Sequence, residues 1–501
     1  MNRRRFLGSL AAAVSGLLIA PRLLRAETAV DAFARGRAAH PYLAGWQSID
    51  GDAFGPSEVV LEGRLPEGLS GTLYRNGPAL FERGGQRYTH WFDGDGLVHA
   101  WKLGPQGIEH RARMVGTSKF RREQQAGRFL LPAAGSRIEN PLAVRNNDDV
   151  NVANTSVTAI NGRLFALWEA GSAYELHPDT LDTLGPVTWA SGMEAAPFSA
   201  HPLREGDGTT WNFGSLDVLG GSGLLIWRIG ADGHLLEQQL LPTPAPGYLH
   251  AFAMTERHLV FVLTPYRMGD SGPFFERLKF APDLPCRIAV VPKDALDAPR
   301  WFEADFGMAY HFGDAFEREG VIELRAVLHS DVADAVSPMA AAMRGEPRAI
   351  VEDRGARLTT LRLDMKSGHA QWIDHDQYGL EFPQFDPRSP GDRGARLYAP
   401  ANVGEREVPY FNGVAAIDLQ RGRRQQHRYG AQVLAEEHLF VPRPGSRRAN
   451  DGWLLGTVLD SARDRSGLAV LDAQRIEDGP IAMAWLPRSF PLGFHGHFAP
   501  A

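Results

Sequence analysis

The stretch LLIWRIGADGHLLEQQLL, residues 224–241, contains two apolar-rich alternating runs joined by a turn with Gly and Asp. Alternation with a period of two on both sides of such a turn is the pattern of a β-hairpin. The pattern recurs in six further stretches, at residues 97–116, 172–190, 286–305, 357–376, 413–430 and 466–486. The seven hairpins begin 52 to 75 residues apart, so one structural unit repeats along most of the chain.

More strand-like sequence precedes most of the hairpins, as in TSVTAINGRLFALWE (155–169) and FAMTERHLVFVLTP (252–265). Four strands per unit in seven units predict an all-β fold, a seven-bladed β-propeller. The repeat exceeds a compact blade of about 40–50 residues, so we expect loops and short helical inserts that form a lid over one face. Residues 331–346 are predicted to be such a helical insert. A pair of multi-stranded sandwiches is the alternative architecture.

Composition limits the function classes. The 501 residues are 44 % hydrophobic and 22 % charged, which is typical of a soluble globular protein with a large core. The net charge of −6 gives no electrostatic reason to expect a nucleic-acid partner. Cys286 is the single cysteine, so no disulfide can form within the chain.

The N-terminus is predicted to be a targeting segment. RRRFLGSLAAAVSGLLIAP (3–21) has an Arg-Arg-x-Phe-Leu order followed by a short apolar run, which indicates a twin-arginine export signal over residues 1–26. An ordinary secretory signal is the alternative. We therefore expect the twin-arginine export machinery as a partner and a periplasmic location. Residues 27–56 are predicted to be an N-terminal extension, and residues 57–501 a single propeller domain.

Four histidines occupy equivalent places in this repeat. If each hairpin is the outer pair of its blade, the segments between hairpins contain the inner strands around the axis. His201, His250 and His311 lie in three successive segments of this kind, and His495 follows the last hairpin. Neutral imidazoles are good ligands for Fe, Zn or Cu, so the four are predicted to form a metal site.

Four neutral ligands leave the charge of a divalent metal uncompensated, so carboxylates are expected to accept the outer N–H groups of the imidazoles. The candidates in or near inner segments are Glu169, Glu381 and Glu437. Glu169 and Glu381 stand among apolar residues and are expected to be better buried than Glu437.

From about residue 57 to its end, the chain resembles the carotenoid cleavage oxygenases. The stretches that carry this resemblance are LEGRLPEGLSGTLYRNGPALFERGGQRYTHWFDGDGLVHAW, FSAHPLREGDGTTWNFG, YLHAFAMTERHLVF, MAYHFGDAFE, EFPQFDPR and PLGFHGHF. The resemblance implies a seven-bladed propeller that holds one Fe(II) per chain through four histidines backed by three glutamates. By position these are the four histidines and three glutamates above, with His497 a neighbour and not a ligand.

Two positions depart from the family pattern. Asp314 stands where the family usually has Asn, and Glu437 is followed by His438 where a Pro is usual. The second departure makes Glu437 the least secure of the three glutamate assignments. All four ligand positions are intact, which argues against a metal-free relative.

The resemblance also implies a reaction. It is the cleavage by O2 of a C=C double bond in a lipophilic alkene, a carotenoid or apocarotenoid, to two carbonyl products. Cleavage of a hydroxystilbene is the alternative within the family, and it requires polar contacts to a phenol, typically from a Tyr and a Lys. Tyr88 and Lys119 fall in plausible regions for these contacts, but both could equally be surface residues.

The aromatic stretch GPFFERLKFAPDLP (272–285) resembles the family's apolar entrance, through which insoluble substrates are drawn from a membrane. An entrance of this kind leads us to expect peripheral membrane contact through this stretch. The alternative is a loop that packs on its own blade.

Three other function classes compete with the oxygenase. A hydrolytic propeller with an axial calcium ion would need oxygen ligands, whereas the predicted axis carries histidines. A partner-binding propeller without catalysis gives no reason for four matched imidazoles. A relative that keeps its metal without activity stays open.

Overall fold

The computed structural model describes residues 27–218, 221–329, 339–347, 356–392 and 394–501. The predicted export signal and residues 331–338 of the predicted helical insert lie outside this part of the chain. Among the described residues, no helix is long and apolar enough to cross a bilayer.

Strands dominate the structure. In chain order the strands are β1 (Ala53–Ser57), β2 (Val60–Gly63), β3 (Gly71–Leu80), β4 (Glu82–Arg83), β5 (Gln86–Arg87), β6 (Asp95–Gly104), β7 (Gly107–Met114), β8 (Ser156–Ile160), β9 (Arg163–Leu167), β10 (Tyr174–Leu176), β11 (Thr183–Pro186), β12 (Leu203–Arg204), β13 (Thr210–Val218), β14 (Gly221–Ile229), β15 (Leu235–Thr243), β16 (Gly247–Tyr248), β17 (Ala253–Met254), β18 (His258–Met268), β19 (Leu278–Phe280), β20 (Cys286–Pro292), β21 (Arg300–Ala304), β22 (Met308–Arg318), β23 (Val321–His329), β24 (Ala356–Asp364), β25 (Ala370–Tyr378), β26 (Gln384–Phe385), β27 (Leu397–Ala401), β28 (Gly413–Asp418), β29 (Arg423–Arg428), β30 (Val433–Pro442), β31 (Gly452–Asp460), β32 (Arg465–Asp472), β33 (Ala482–Trp485) and β34 (Gly496–Pro500).

In the part of the chain that the structure describes, helices are few and short. The α-helices are α1 (Ala29–Ala39), α2 (Ser118–Ala126), α3 (Phe274–Arg277) and α4 (Ala340–Met343), and the 3₁₀ helices span Pro41–Trp46, Trp91–Asp93, Asn147–Asp149 and Ile476–Asp478.

Seven antiparallel sheets form the blades of a β-propeller, as predicted. From the axis outward, blade 1 is β34-β3-β6-β7-β1, blade 2 is β8 to β11, blade 3 is β12 to β15, blade 5 is β22 to β25, blade 6 is β26 to β29, and blade 7 is β30-β31-β32-β33-β2. Blade 4 is β16-β18-β20-β21, and β17 and β19 also pair with β18. All seven predicted hairpins are the third and fourth strands of their blades.

Alternation in the hairpin at 224–241 has a direct structural cause. Leu224 and Ile226 of β14 pack into the cluster shared with blade 4, whereas Leu225 and Trp227 pack into the cluster shared with blade 2. Successive side chains of a strand point to opposite faces, so a middle strand of a blade buries both faces against its two neighbours. The core therefore lies between blades, and it fixes the inner strands around the axis.

Both ends of the described chain are tied into the ring. β34 pairs with β3, with Leu73 opposite Phe498, and β2 pairs with β33, with Leu61 opposite Ala484. Residues 27–56, predicted to be an extension, contain α1, the 3₁₀ helix Pro41–Trp46 and most of β1, which adds an outer strand to blade 1.

Candidate metal centre

The structure brings the four predicted histidines together at the axis. His201 lies two residues before β12, His250 lies two residues after β16, His311 lies in β22, and His495 directly precedes β34. One ligand atom from each ring lies within 4.8 Å of the corresponding atoms of the other three. His497 is outside this group, in agreement with its assignment as a neighbour.

The ring nitrogens that face one another are the Nε2 atoms. His201 Nε2 lies 2.8 Å from His250 Nε2, and His311 Nε2 lies 3.1 Å from His495 Nε2. Bonds from imidazole nitrogen to a metal ion such as zinc are about 2.0–2.1 Å long. Nitrogens about 3 Å apart can therefore bind one such ion from neighbouring coordination positions.

Three of the four rings are held from behind by carboxylates. Glu169 Oε1 contacts Nδ1 of His250, Glu381 Oε2 lies 2.6 Å from Nδ1 of His311, and Glu437 Oε1 lies 2.9 Å from Nδ1 of His495. A carboxylate can only accept at this contact, so Nδ1 carries the hydrogen and Nε2 keeps its lone pair for a metal. Within the described chain His201 has no carboxylate of this kind.

Glu437 is the least secure of the three glutamate assignments, yet its carboxylate has the largest number of polar partners of the three. Its carboxylate forms a 2.7 Å ion pair with Arg75 and accepts hydrogen bonds from the Gly496 amide at 2.9 Å and from Gln384 at 3.2 Å. Burial alone would raise the pKa of Glu437, but the ring of His495 and the guanidinium of Arg75 hold this pKa below its ordinary value. Glu437 is therefore the ionised acceptor that His495 requires.

The relative burial of the glutamates was predicted wrongly. Glu437 is only 3 % exposed, whereas the side chain of Glu169 is 29 % exposed. Glu169 follows β9, the second strand of blade 2, and reaches His250 from the side of the cavity instead of from an inner strand. Apolar neighbours in the sequence therefore did not predict burial here.

Glu381 has a second histidine partner that the sequence did not indicate. Its Oε1 lies 2.9 Å from Nε2 of His329, at the end of β23, while its Oε2 accepts from His311. Burial raises the pKa of Glu381, but the two imidazoles lower it by more, so it stays well below its ordinary value. One carboxylate thus joins two rings.

Two imidazoles of the cluster, those of His201 and His495, are neutral at ordinary pH. Burial lowers the pKa of His201 well below 6.5, and the other three rings lower it further. Burial likewise lowers the pKa of His495, to about 4, although Glu437 opposes this shift. Neutral rings with lone pairs directed at one another repel unless a cation lies between them, so the donor set fits a metal ion.

Asp314 lies away from this cluster. Its carboxylate forms a 2.7 Å ion pair with Arg325 and accepts a 2.7 Å hydrogen bond from the Gly391 amide. The Asp314 carboxylate therefore contacts Arg325 and Gly391 and not the clustered histidines.

A cavity of about 710 Å³ opens beside the histidines. His250, His311 and His495 form part of its wall, and most of the remaining wall is apolar or aromatic. The large aromatic residues of the wall include Trp91, Phe92, Tyr310, Phe382, Tyr410 and Phe494. Such a cavity suits an elongated apolar molecule.

The insert at 272–285 contributes to this cavity and also packs on its own blade. Phe274 and Phe275 of α3 line the cavity, and β19 pairs with β18 of blade 4. Phe275 stacks on the ring of His90, with centroids 4.7 Å apart, while Phe274 is 40 % exposed. The two interpretations of this stretch are therefore compatible.

Tyr88 and Lys119 are not surface residues. They are 0 % and 1 % exposed, and Lys119 Nζ donates a 2.8 Å hydrogen bond to the Tyr88 hydroxyl. Lys119 also contacts Glu123 at 2.9 Å and Asp95 at 3.3 Å, and it forms part of the cavity wall. The structure thus places the buried ammonium group of Lys119 at the wall of a largely apolar cavity, with the Tyr88 hydroxyl hydrogen-bonded to it.

Comparison with known proteins gives one consistent result. The family model of retinal pigment epithelial membrane protein (RPE65) matches residues 50–500. Apocarotenoid-15,15'-oxygenase of a Synechocystis species is 30 % identical, over 88 % of this chain and 92 % of that protein. Lignostilbene-α,β-dioxygenase isozyme III of Sphingomonas paucimobilis is 28 % identical, over 90 % of this chain and 95 % of that protein. A crystal structure of cobalt-substituted Synechocystis apocarotenoid oxygenase, 28 % identical, matches with a TM-score of 0.80 over 92 % of this chain and 98 % of that one.

Proposed function

Since this chain belongs to the carotenoid cleavage oxygenase family and is an oxygenase of the dioxygenase type, we propose that it binds one Fe(II) and uses O2 to cleave a C=C double bond of a carotenoid or apocarotenoid into two carbonyl products. The observation that carries the proposal is the set of four clustered imidazoles, three of which form part of the wall of a large aromatic cavity.

The donor set supports a transition metal. Imidazole nitrogen suits Fe, Zn, Cu and Ni, whereas calcium takes oxygen ligands. The hydrolytic propeller with an axial calcium ion is therefore disfavoured by the ligand atoms themselves. His201, His250, His311 and His495 would hold the ion, and Glu169, Glu381 and Glu437 would supply the negative charge that four neutral ligands lack.

Fe(II) bound there would supply the electrons that spin-paired alkenes cannot readily exchange with O2 directly. The protein contributes placement. The three carboxylates fix the rotation of the rings, and Phe382 stacks on His311 with centroids 4.9 Å apart. The aromatic wall holds an extended alkene beside the centre and excludes water from it, so the fit of the substrate selects the double bond that is cut.

The test is metal analysis of protein purified without oxygen, followed by incubation with β-apo-carotenals under air and under argon. We expect one iron per chain and aldehyde formation under air only. His250→Ala should abolish iron binding, whereas His234→Ala, in the exposed β14–β15 turn, should retain it. Full iron content in His250→Ala, or products under argon, would contradict the proposal.

A hydroxystilbene is the second candidate substrate, and one observation favours it. Lys119, at the cavity wall, offers a phenol a buried charged donor, and the Tyr88 hydroxyl accepts a hydrogen bond from the same ammonium group, away from water, where charge-assisted hydrogen bonds are strongest. A polyene hydrocarbon would gain nothing from this pair. Parallel assays with 4-hydroxystilbene and a β-apo-carotenal distinguish the two.

We also propose that the chain is exported by the twin-arginine machinery and that it contacts a membrane surface. Phe274, Met268 and Leu284, in and beside the insert, are each about two-fifths exposed, and Phe274 also lines the cavity. An exposed apolar edge at a cavity supports uptake of insoluble substrate from a bilayer. Phe274→Ser should reduce co-sedimentation with phosphatidylcholine vesicles if this is correct.

A further inference from the structure

His329 is a fifth histidine beside the metal centre, and the proposed reaction does not use it. It is the last residue of β23, its ring is half-buried, and it forms part of the cavity wall. The ring packs edge-on against Tyr310, with centroids 5.3 Å apart. Tyr310 in turn packs edge-on against His250, so His329 lies one aromatic ring away from a ligand.

Glu381 determines which nitrogen of His329 carries hydrogen. Nε2 of His329 lies 2.9 Å from Oε1 of this buried carboxylate, whose other oxygen accepts from His311. Because an ionised carboxylate only accepts, Nε2 of His329 must donate. In the neutral ring Nδ1 is then a lone-pair acceptor.

This acceptor is left without a partner. Within the part of the chain that the structure describes, no residue forms a hydrogen bond to Nδ1 of His329. The surrounding wall consists largely of aromatic side chains such as Tyr310 and Phe382. A bound apolar molecule would cut Nδ1 of His329 off from water. This loss of hydration costs free energy unless the bound molecule donates a hydrogen bond to Nδ1.

We propose that His329 is a substrate-binding residue whose Nδ1 accepts a hydrogen bond from a hydroxyl group of the alkene. Within either candidate substrate class, the protein should accordingly prefer an alkene that carries a hydroxyl group over one that does not. This inference rests on the proposed function for the identity of the ligand as an alkene, and it concerns a contact distinct from the Lys119–Tyr88 pair.

Two amide variants separate this contact from the contact with Glu381. The amide of glutamine overlies Nε2 of histidine, so His329→Gln keeps a donor for Glu381 and removes the Nδ1 acceptor. The amide of asparagine overlies Nδ1, so His329→Asn keeps an acceptor for the hydroxyl and removes the contact with Glu381. His234→Gln, at an exposed turn, is the matched control.

The measurement is binding to metal-free protein, followed by quenching of tryptophan fluorescence, since Trp91 and Trp168 line the cavity. The probes are 3,5,4′-trihydroxybibenzyl and its trimethyl ether, which have no C=C bond between their rings to cleave. The wild-type protein and His329→Asn should prefer the trihydroxy probe. His329→Gln should reduce this preference by about five- to ten-fold, the value of one neutral hydrogen bond.

Equal binding of the two probes by the wild-type protein would overturn the inference. An unchanged preference in His329→Gln, or an equal loss in His329→Asn and His329→Gln, would also overturn it, because the role of His329 would then be to position Glu381. No turnover or iron is needed for these results. A protein that shows the predicted preference but never cleaves an alkene would contradict the proposed function and leave this contact intact.

Discussion

Oε1 of Glu437 lies 2.9 Å from Nδ1 of His495, and this contact joins β30 of blade 7 to the segment that closes the propeller. Directly after His495 the chain enters β34, which pairs with β3 of blade 1. Across the axis, His495 Nε2 lies 3.1 Å from His311 Nε2 of blade 5. A metal ion held by these rings would therefore link the closing strand to the rest of the ring.

Removal of the metal should loosen the closing strand more than any other part of the ring. An ion that binds only the folded state stabilises it by about 2.7 kcal/mol when its free concentration is 100 times Kd. We expect chelation to lower Tm and to speed amide hydrogen exchange in residues 490–500, since His495 directly precedes the closing strand β34. Hydrogen exchange with and without Fe(II) measures this directly.

The middle strands of blade 3, β13 and β14, serve as the internal control in the same experiment, because they contribute no ligand. A uniform change across all blades, or no change at the C-terminus, would show that the metal does not pin the closing strand.

Replacement of Glu169 or of Glu437 should weaken iron binding to a similar extent. The two replacements should, however, destabilise the fold to different extents. Glu169→Gln and Glu437→Gln each remove the charge behind a ligand ring, and we expect iron affinity to fall by about 10- to 100-fold in both. Glu437→Gln should also destabilise the protein by up to about 3–5 kcal/mol, because buried Arg75 loses its 2.7 Å ion pair and keeps only the longer 3.9 Å contact with Glu436. Glu169 is partly exposed, and within the described chain its carboxylate contacts His250 alone, so its loss should cost much less.

Iron titration and denaturant unfolding of the metal-free variants measure the two effects separately. Glu405→Gln, on the exposed surface, is the control for both. Equal stability of Glu437→Gln and Glu169→Gln would contradict the assigned role of the Arg75 ion pair.

Much of the fold could be predicted because the hairpins obey a simple period. The outer pair of each blade consists of two apolar-rich runs joined by a turn, as at 224–241, so seven repeats are visible in the sequence. The ligand histidines followed from their places between these hairpins together with the family resemblance. Their approach to a common centre is a property of the ring and not of any single segment.

The rest of the site depends on irregular backbone. The pairing of β30 with β31 shifts between Ala435 and His438, so Glu436 and Glu437 are both buried although they are adjacent. A strict alternation would have exposed one of them. Arg75 and His329 reach the carboxylates from blades 1 and 5, and a contact of this kind between distant segments leaves no periodic trace in one sequence.

The buried ring of His438 should make stability fall in acid. Nε2 of His438 is 2.7 Å from the Tyr429 hydroxyl, Nδ1 is 2.7 Å from the Glu436 carbonyl, and burial lowers the pKa of His438 to about 4. The unfolded chain binds a proton near pH 6.5 and the folded chain only near pH 4. The contribution of His438 to the free energy of unfolding is therefore fully present above pH 6.5. It is lost as the pH falls towards 4, and this loss is at most about 3 kcal/mol.

His438→Gln removes this titration, so its stability should decline less steeply than that of the wild-type protein between pH 6.5 and 4. Other buried histidines, such as His99 with its pKa lowered by burial to about 3, keep some slope in the variant. Urea unfolding of metal-free protein at several pH values gives both curves, and His234→Gln should follow the wild-type curve. Parallel curves for the wild-type protein and His438→Gln would contradict the assignment.

Tyr88→Phe should distinguish the two candidate substrate classes. The substitution removes only the hydroxyl that Lys119 contacts at 2.8 Å, and it keeps the ring that stacks on Phe129 with centroids 3.9 Å apart. If the pair receives a phenol, kcat/KM for 4-hydroxystilbene should fall by about 5- to 30-fold, the value of a hydrogen bond in a charged network. Turnover of a β-apo-carotenal should change less than two-fold, because a hydrocarbon end cannot use the hydroxyl. A loss of the same size for both substrates would assign the Tyr88–Lys119 pair to the support of α2, where Lys119 also holds Glu123, and not to substrate recognition.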